Sequence, residues 1–196
     1  MASAMLFALF LVSALSFYPS STTAQPVTDM YGNVVKNGGR FHILPYIFSN
    51  GGGVQRIKTG NETRALSVVQ SPMETIKGLP VIIESPYRTE FIPLGPVTLG
   101  FQDITAFEPS LEWTVVEGLS EGTVVKVYGY PKTVKGSFSI HRVIDNRYKL
   151  KFCKTGGSLC GNVGIARDNA EHRIFVVSQG KPFEFVLEPL PINSSK

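Results

Sequence analysis

The chain has 196 residues, enough for one domain with a sizeable core, and its formal net charge is only +4. Its basic residues are scattered, and the loose group between Arg142 and Lys154 lacks the density and the placed aromatics of a nucleic-acid site, so we expect no nucleic-acid partner. The 19 glycines and 13 prolines, with frequent Val, Ile, Phe and Tyr, favour strands and turns over helices.

The N-terminal segment has the pattern of a signal peptide. Residues 5–17 are almost wholly apolar, but a membrane span needs about 20 such residues. Small residues at 22–24 then suit a cleavage site, although no charged side chain precedes the apolar run. The sequence therefore predicts a signal peptide over residues 1–24 and a secreted or vacuolar mature domain over residues 25–196. A buried N-terminal helix is the alternative. No later segment could span a bilayer, so we expect no membrane partner.

Three apolar pairs repeat weakly along the chain. Residues 68–69, 115–116 and 176–177 are Val-Val pairs, each followed by a turn and a second apolar strand, and we interpret each unit as a hairpin. In a second repeat, residues 39–43 and 136–140 alternate Phe and Ile with polar residues, the period of a half-buried strand. These repeats predict an all-β barrel with pseudo-threefold symmetry, closed so that no strand edge is exposed. Chance recurrence of Val-Val pairs is the alternative.

Residues 85–90, Ser-Pro-Tyr-Arg-Thr-Glu, follow a strand-like run and form the most informative segment of the chain. Pro86 fixes its own backbone and favours an extended Ser85, which predicts that Arg88 is presented on a stiff, extended loop. A presented arginine suits a trypsin-like protease, whose specificity pocket has an aspartate at its base. A solvated surface charge is the simpler interpretation of this arginine.

The two cysteines of the chain, Cys153 and Cys160, are separated by a Gly-Gly pair that lets the backbone turn back. In an oxidising compartment this spacing predicts a disulfide. It is not C-x-x-C and no histidine is near in sequence to complete a zinc site, so we expect neither a metal nor another cofactor. The sequons at Asn61 and Asn193 are candidate N-glycosylation sites.

Many segments of the chain match one family pattern. They are 27–29 with Gly32 and Val35, 41–43, 59–62, 66–72, 85–88, 112–118, 148–153 and 160–165. On these segments the chain after Ala24 resembles the plant Kunitz-type protease inhibitors, typified by soybean trypsin inhibitor, with Phe41 where the family usually has Tyr. The resemblance implies a β-trefoil of twelve strands with pseudo-threefold symmetry, which agrees with the repeats.

The resemblance also implies a reactive bond between Arg88 and Thr89, with the Arg88 side chain entering the protease specificity pocket. The other residues of the implied inhibitory loop are Ser85, Pro86, Tyr87 and Glu90. An asparagine of the N-terminal signature, matched to Asn33, is implied to brace the loop by hydrogen bonds to its backbone. From the residues alone, Asn33 reads as part of a turn with Tyr31 and Gly32.

Two departures from the family pattern bear on function. The family commonly has a second disulfide, whose cysteines would align at Arg64 and at or beside Phe107, and this chain has neither. Its absence forgoes about 2–4 kcal/mol of stability. Glu90 stands where trypsin-directed members often carry a basic residue, which questions trypsin as the target.

The implied function is a secreted, monomeric inhibitor of a trypsin-like serine protease. Enzyme activity is not expected, because the sequence lacks G-x-S-x-G, H-E-x-x-H and P-loop motifs, and His42, His141 and His172 stand alone. Two alternatives stay open because a fold does not fix a function. One is a storage or defence protein that binds no protease. The other is an inhibitor of a cysteine protease, a subtilisin or an amylase acting through another loop.

Overall fold

The computed structural model describes residues 25–102, 111–157 and 160–190, which form thirteen strands and no helix. The strands are β1 (Gly39–Pro45), β2 (Val54–Ile57), β3 (Ser67–Gln70), β4 (Val81–Glu84), β5 (Gly95–Phe101), β6 (Trp113–Leu119), β7 (Gly122–Val127), β8 (Thr133–Val134), β9 (Gly136–Ile144), β10 (Arg147–Lys154), β11 (Cys160–Arg167), β12 (Arg173–Ser178) and β13 (Glu184–Pro189). The predicted signal peptide, the Phe107 position and the Asn193 sequon lie outside the described residues. No helix in the described part of the chain is long and apolar enough to cross a membrane.

Six of the strands close into a barrel. β1 pairs with β4, β4 with β5, β5 with β9, β9 with β10, β10 with β13, and β13 returns to β1, all antiparallel. The ring closes on itself, so none of these six strands presents a free edge to solvent. The prediction of a closed all-β barrel is therefore confirmed.

Three hairpins cap one end of this barrel. They are β2–β3, β6–β7 and β11–β12, and they meet where β3, β7 and β12 pair with one another. Each third of the chain thus supplies two barrel strands and one cap hairpin, the architecture of a β-trefoil. The ring and the cap account for the twelve predicted strands. The thirteenth, β8, is a two-residue strand that pairs with β6.

The pairing corrects the interpretation of the valine repeats. Only the middle unit is a hairpin, because β6 pairs with β7. The first repeat begins in β3 and the third in β12, and these strands pair with β2 and β11 rather than with the apolar strands that follow them. At the centre of the cap the equivalent positions are Val69, Val124 and Ile174, so the pairs at 115–116 and 176–177 are not equivalents of 68–69. The segments 39–43 and 136–140 both lie in barrel strands, as their alternation predicted.

The barrel interior holds the main hydrophobic core. Alternate side chains of the ring strands point inward and are buried, including Phe41, Ile43, Val81, Ile83, Val97, Leu99, Phe138, Ile140, Tyr148, Leu150, Phe185 and Leu187. Burial of each contributes about 1.5–3 kcal/mol. A smaller cluster of Val69, Val124 and Ile174 takes one residue from each cap hairpin and fills the threefold centre of the cap.

A buried ion pair ties the first third of the chain to the second. The Lys126 ammonium on β7 lies 2.7 Å from the Glu62 carboxylate, and both side chains are at most 6% exposed. Lys126 also donates to the hydroxyls of Thr59 and Ser67. Arg64, at one position of the absent disulfide, is exposed in the same segment. The ion pair therefore fastens to the cap a segment that has no disulfide.

Two further local features stabilise the fold, a hydrogen-bonded turn in the third unit and a close backbone contact in the first. Asp168 accepts hydrogen bonds from the backbone amides of Ala170 and His172 and lies 2.8 Å from the imidazole Nδ1 of His172, which fixes the β11–β12 turn. At Gly53, before β2, an added Cβ would overlap the backbone carbonyl of Lys77. The loop preceding β4 therefore packs directly on a glycine backbone.

The predicted disulfide is present. Cys153 at the end of β10 and Cys160 at the start of β11 are directly paired residues, and their Cα atoms lie 4.2 Å apart. No free thiol remains.

Candidate functional site

Residues 85–90 connect two barrel strands and are anchored at both ends. β4 reaches the loop from a position between β1 and β5, where Ile83 pairs with Gly39 and Glu84 with Thr98. On the far side of the loop, Ile92 is fully buried. Its backbone accepts from the amide of Val27 and donates to the carbonyl of Val35. The loop is therefore held between two fixed points of the core.

One side chain spans the inside of the loop. The Asn37 Oδ1 accepts from the backbone amide of Ser85 at 2.9 Å. Its Nδ2 donates to the carbonyl of Thr89 at 3.1 Å and, over a longer 3.4 Å, to the carbonyl of Tyr87. The Asn37 backbone amide also donates to the carbonyl of Glu90 at 3.0 Å. Asn37 thus contacts the loop backbone on both sides of Arg88, and we call this set of bonds the Asn37 clamp.

The prediction that Asn33 braces the loop is wrong. The Nδ2 of Asn33 donates to the carboxylate of Asp29, at 3.1 and 3.3 Å, and the Asn33 amide donates to the same group. Asp29 is nearly buried and accepts from the Tyr31 amide as well, so it closes the turn and turns Asn33 away from the loop. The turn interpretation of Asn33 is the correct one.

The brace at Asn37 was missed because its role depends on pairing between distant strands. In sequence, Asn37 is the first residue of an Asn-Gly-Gly turn before β1. Only the register of β1 on β4, with Gly39 opposite Ile83, brings position 37 beside position 85. The Asn-Gly-Gly turn was the available signal, but it indicates a turn rather than a partner.

Inside the loop, short local bonds define the backbone around Arg88. The Thr89 amide donates to the carbonyl of Tyr87 at 2.9 Å, which makes a tight turn centred on Arg88. The Tyr87 amide donates to the Ser85 hydroxyl, and the Thr89 hydroxyl donates to the carbonyl of Phe91 at 2.7 Å. The loop is therefore ordered by its own polar groups as well as by the clamp.

The side chains of Pro86, Tyr87, Arg88 and Glu90 are exposed, whereas Ser85 and Thr89 are half-buried. Arg88 makes no ion pair with any described residue. The arrangement joins a constrained backbone to an exposed guanidinium. The tight turn at Arg88 departs from the extended backbone that the sequence predicted for this segment.

The remaining predicted positions lie apart from this loop. Asn61 is exposed in a turn before β3. Burial lowers the pKa of His42 and of His141, and His172 belongs to the Asp168 turn. Within residues 25–102, 111–157 and 160–190, no three His, Cys, Asp or Glu side chains are grouped to hold a metal ion.

The chain is similar to known proteins over nearly their full length. The legume Kunitz family model, described as trypsin and protease inhibitor, matches residues 27–188. Trypsin inhibitor DE-3 of Erythrina latissima is 41% identical over 170 residues, which cover 82% of this chain and 95% of that protein. The chymotrypsin inhibitor ECI of Erythrina variegata is 40% identical over 172 residues, or 83% and 96% of the two chains.

A solved structure agrees with these sequence matches. Soybean trypsin inhibitor, in its complex with porcine pancreatic trypsin, is 40% identical, with a TM-score of 0.78 over 85% of this chain and 99% of that one. The family-model match over residues 27–188 includes the cap, the loop at residues 85–90 and nearly all of the barrel. The chain therefore belongs to the legume Kunitz family of trypsin and protease inhibitors, a family of inhibitors rather than of enzymes.

Proposed function

We propose that this protein inhibits trypsin-like serine proteases by presenting residues 85–90 as a substrate-like loop, with Arg88 in the specificity pocket and the Arg88–Thr89 peptide as the reactive bond. The observation that carries the proposal is the Asn37 clamp, which constrains the backbone on both sides of an exposed, unpaired Arg88. The similarity to proteins named as trypsin inhibitors supports it.

The constrained loop explains how such a protein would bind tightly. A flexible substrate loses conformational entropy when it docks, whereas this loop has already lost it on folding. The Arg88 guanidinium would then pair with the aspartate at the base of the pocket, a charged contact in a desolvated site. Such an anchor is worth about 2–4 kcal/mol or more to the binding free energy.

The same constraint explains inhibition rather than digestion. When the protease serine attacks the Arg88 carbonyl carbon, the Arg88–Thr89 bond breaks, an acyl-enzyme forms and Thr89 gains a free amine. Bonds from Asn37 to the Thr89 carbonyl and from the Thr89 hydroxyl to Phe91 hold that amine close to the acyl group. The amine can therefore attack the acyl-enzyme ester and restore the peptide bond before water hydrolyses that ester.

Substitution of Arg88 tests the proposal. Arg88→Ala should abolish inhibition of trypsin, and Arg88→Lys should retain part of it, because the pocket still receives a cation. The site is exposed, so we expect the free energy of unfolding to change by no more than about 0.5 kcal/mol. The measurement is the inhibition constant of each variant, with circular dichroism to confirm folding. Undiminished inhibition by Arg88→Ala would show that another surface binds the protease.

Glu90 bears on which protease is bound. It is exposed two residues after Arg88, so a protease would meet its carboxylate on the leaving-group side of the reactive bond. If that carboxylate disfavours trypsin, Glu90→Arg alone should lower the inhibition constant for trypsin. An unchanged constant would mean that Glu90 does not select the target.

We further propose that the mature chain is secreted and begins at Gln25. The Gln25 carbonyl accepts from the amide of Leu94, and Pro26 bridges to Pro93, so the fold holds the chain from this residue onward. The disulfide fits an oxidising compartment. N-terminal sequencing of protein expressed in plant cells should find Gln25 first, and an intact Met1 would contradict the proposal.

Asn61 is the proposed glycosylation site among the described residues. Its side chain is exposed, whereas the next residue of the sequon, Glu62, points inward to Lys126. A glycan could therefore leave the surface without disturbing the ion pair. Mass spectrometry of the secreted protein before and after glycosidase treatment checks this, with Asn61→Gln as the control.

A further inference from the structure

A second polar feature lies at the opposite end of β1 from the reactive loop. Here a cavity of about 330 Å³ opens between the β1–β2 loop and strands β11 to β13. We call it the basic cavity, and its lining comprises Ile47, Asn50, Ile165, Arg167, Arg173, Lys181, Pro182, Phe183 and Glu184. The seven residues of β1 separate it from the loop by about 20 Å. The basic cavity therefore has no part in the proposed protease contact.

Arg173 is fixed in this cavity by neutral groups. Its Nε and Nη2 both donate to the Oε1 of Gln70, at 3.0 and 2.6 Å, and Nη2 also lies 3.2 Å from the backbone and side-chain oxygens of Asn50. Gln70 is 1% exposed, and its own amide donates to the carbonyls of Asn50 and Gly52. The guanidinium is thus oriented by a buried glutamine that is itself held by the β1–β2 loop.

The donors of Arg173 are not all used. Its Nη1 has no acceptor among the described residues, and no carboxylate of those residues pairs with the guanidinium. Burial lowers the pKa of Arg173, and the nearby charge of Arg167 lowers it further. A half-buried cation beside a like charge is costly unless an anion joins it.

The other charges of the lining leave an excess of positive charge. Arg167 pairs with Glu171, and Glu184 pairs with Arg147, so each of these lining residues is already compensated. Lys181 is exposed and forms no ion pair with a described residue. Two cations, Arg173 and Lys181, therefore face the cavity without a counter-ion from the described part of the chain.

We propose that the basic cavity is a binding site for a small organic anion. Its acidic group, a phosphate, sulfate or carboxylate, would be held by the Nη1 of Arg173 and the ammonium of Lys181. Its apolar body would pack on Ile165, Pro182 and the buried Phe183. The volume is at the lower end of the range for ligand sites and suits a molecule with one ring.

Three probes separate the two halves of this site. Phenyl phosphate carries both the acid and the ring, inorganic phosphate only the acid, and benzyl alcohol only the ring. By isothermal titration calorimetry at low salt, phenyl phosphate should bind with a Kd of about 1 mM or tighter, and the other two about tenfold more weakly or worse. Failure of phenyl phosphate to bind, or equal binding of inorganic phosphate, would overturn the proposal.

Substitutions locate the binding. Lys181→Ala, at an exposed position, and Arg173→Gln should each weaken phenyl phosphate binding about tenfold, the loss of one charged hydrogen bond. Lys135→Ala removes an exposed lysine outside the lining and should leave the Kd unchanged. If Lys181→Ala binds like the parent protein, or if Lys135→Ala weakens binding equally, the anion is held elsewhere and the proposal fails.

The site should also act independently of protease binding. Because the basic cavity and the reactive loop lie a strand's length apart, saturating phenyl phosphate should leave the trypsin inhibition constant unchanged. Arg88→Ala should in turn leave the Kd for phenyl phosphate unchanged. A loss of phenyl phosphate binding in Arg88→Ala would contradict the assignment to the cavity.

Discussion

The side-chain bonds of the Asn37 clamp can be removed while Arg88 stays in place, which separates the stiffness of the loop from the identity of its anchor. Asn37→Ala deletes two hydrogen bonds of ordinary length, to the Ser85 amide and the Thr89 carbonyl, and one long bond to the Tyr87 carbonyl. At about 1 kcal/mol net for each ordinary bond, the loop loses about 2 kcal/mol of preorganisation. The trypsin inhibition constant should therefore rise about 30-fold.

The assay follows both binding and cleavage. Inhibition constants report the loss of preorganisation, and prolonged incubation with catalytic trypsin reports hydrolysis after Arg88, which should become faster because the freed amine is no longer held. Asn33→Ala is the matched control. It removes an asparagine from the same N-terminal segment, but one whose side chain bonds to the Asp29 carboxylate and to no other described residue.

Two outcomes would refute the reasoning. The clamp would have no role in binding if Asn37→Ala inhibited trypsin as strongly as the parent. The effect would be one of general stability if Asn33→Ala weakened inhibition as much as Asn37→Ala did. Thermal unfolding of both variants distinguishes a loosened loop from a loosened domain.

Three further predictions concern stability, each measured by urea denaturation against the parent protein. Lys126→Met leaves Glu62 buried without its cation, so the free energy of unfolding should fall by about 3–5 kcal/mol. A decrease of less than about 1 kcal/mol would show that the ion pair contributes little to stability. Burial raises the pKa of Asp168, but the imidazole and backbone hydrogen bonds around it outweigh burial and hold the pKa below its ordinary 3.8. The charged carboxylate therefore stabilises the fold above pH 3.8, and this contribution is lost as the pH falls through the folded-state pKa. The free energy of unfolding that Asp168→Asn loses relative to the parent should therefore shrink in acid. A loss that stays constant down to about pH 2 would contradict this. Gly53→Ala forces a Cβ into a facing backbone carbonyl and should cost about 1–3 kcal/mol, whereas an unchanged midpoint would show that the loop before β4 can move away.

Local sequence patterns predicted the elements of this fold better than their partners. The alternation at residues 39–43 and 136–140 correctly indicated half-buried strands, because side-chain period depends only on neighbours along the chain. The hairpin interpretation failed for the repeats at 68–69 and 176–177, because those strands pair back to the strands before them. Which of two flanking apolar strands is the partner depends on the closure of the whole barrel, which no local window contains.

The candidate site shows the same division. Pro86 and the exposed Arg88 could be interpreted from their own chemistry, although Pro86 favoured an extended backbone and the structure has a tight turn at Arg88. The residue that braces the loop could not be identified in this way, because Asn33 and Asn37 of the N-terminal segment are the same residue type. Asn33 donates its hydrogen bonds to the Asp29 carboxylate, whereas the register of β1 on β4 places Asn37 beside the loop.

The pairing of β1 with β13 has a consequence for how the chain is made. β1 is the first and β13 the last strand of the described residues, so the ring cannot close until almost the whole chain has been synthesised. Until then β1 has only one neighbour, β4, and its other edge is open to mispairing with a second nascent chain. The same pairing sets Phe41 opposite Pro189, so β1 and β13 form the last seam of the ring to close.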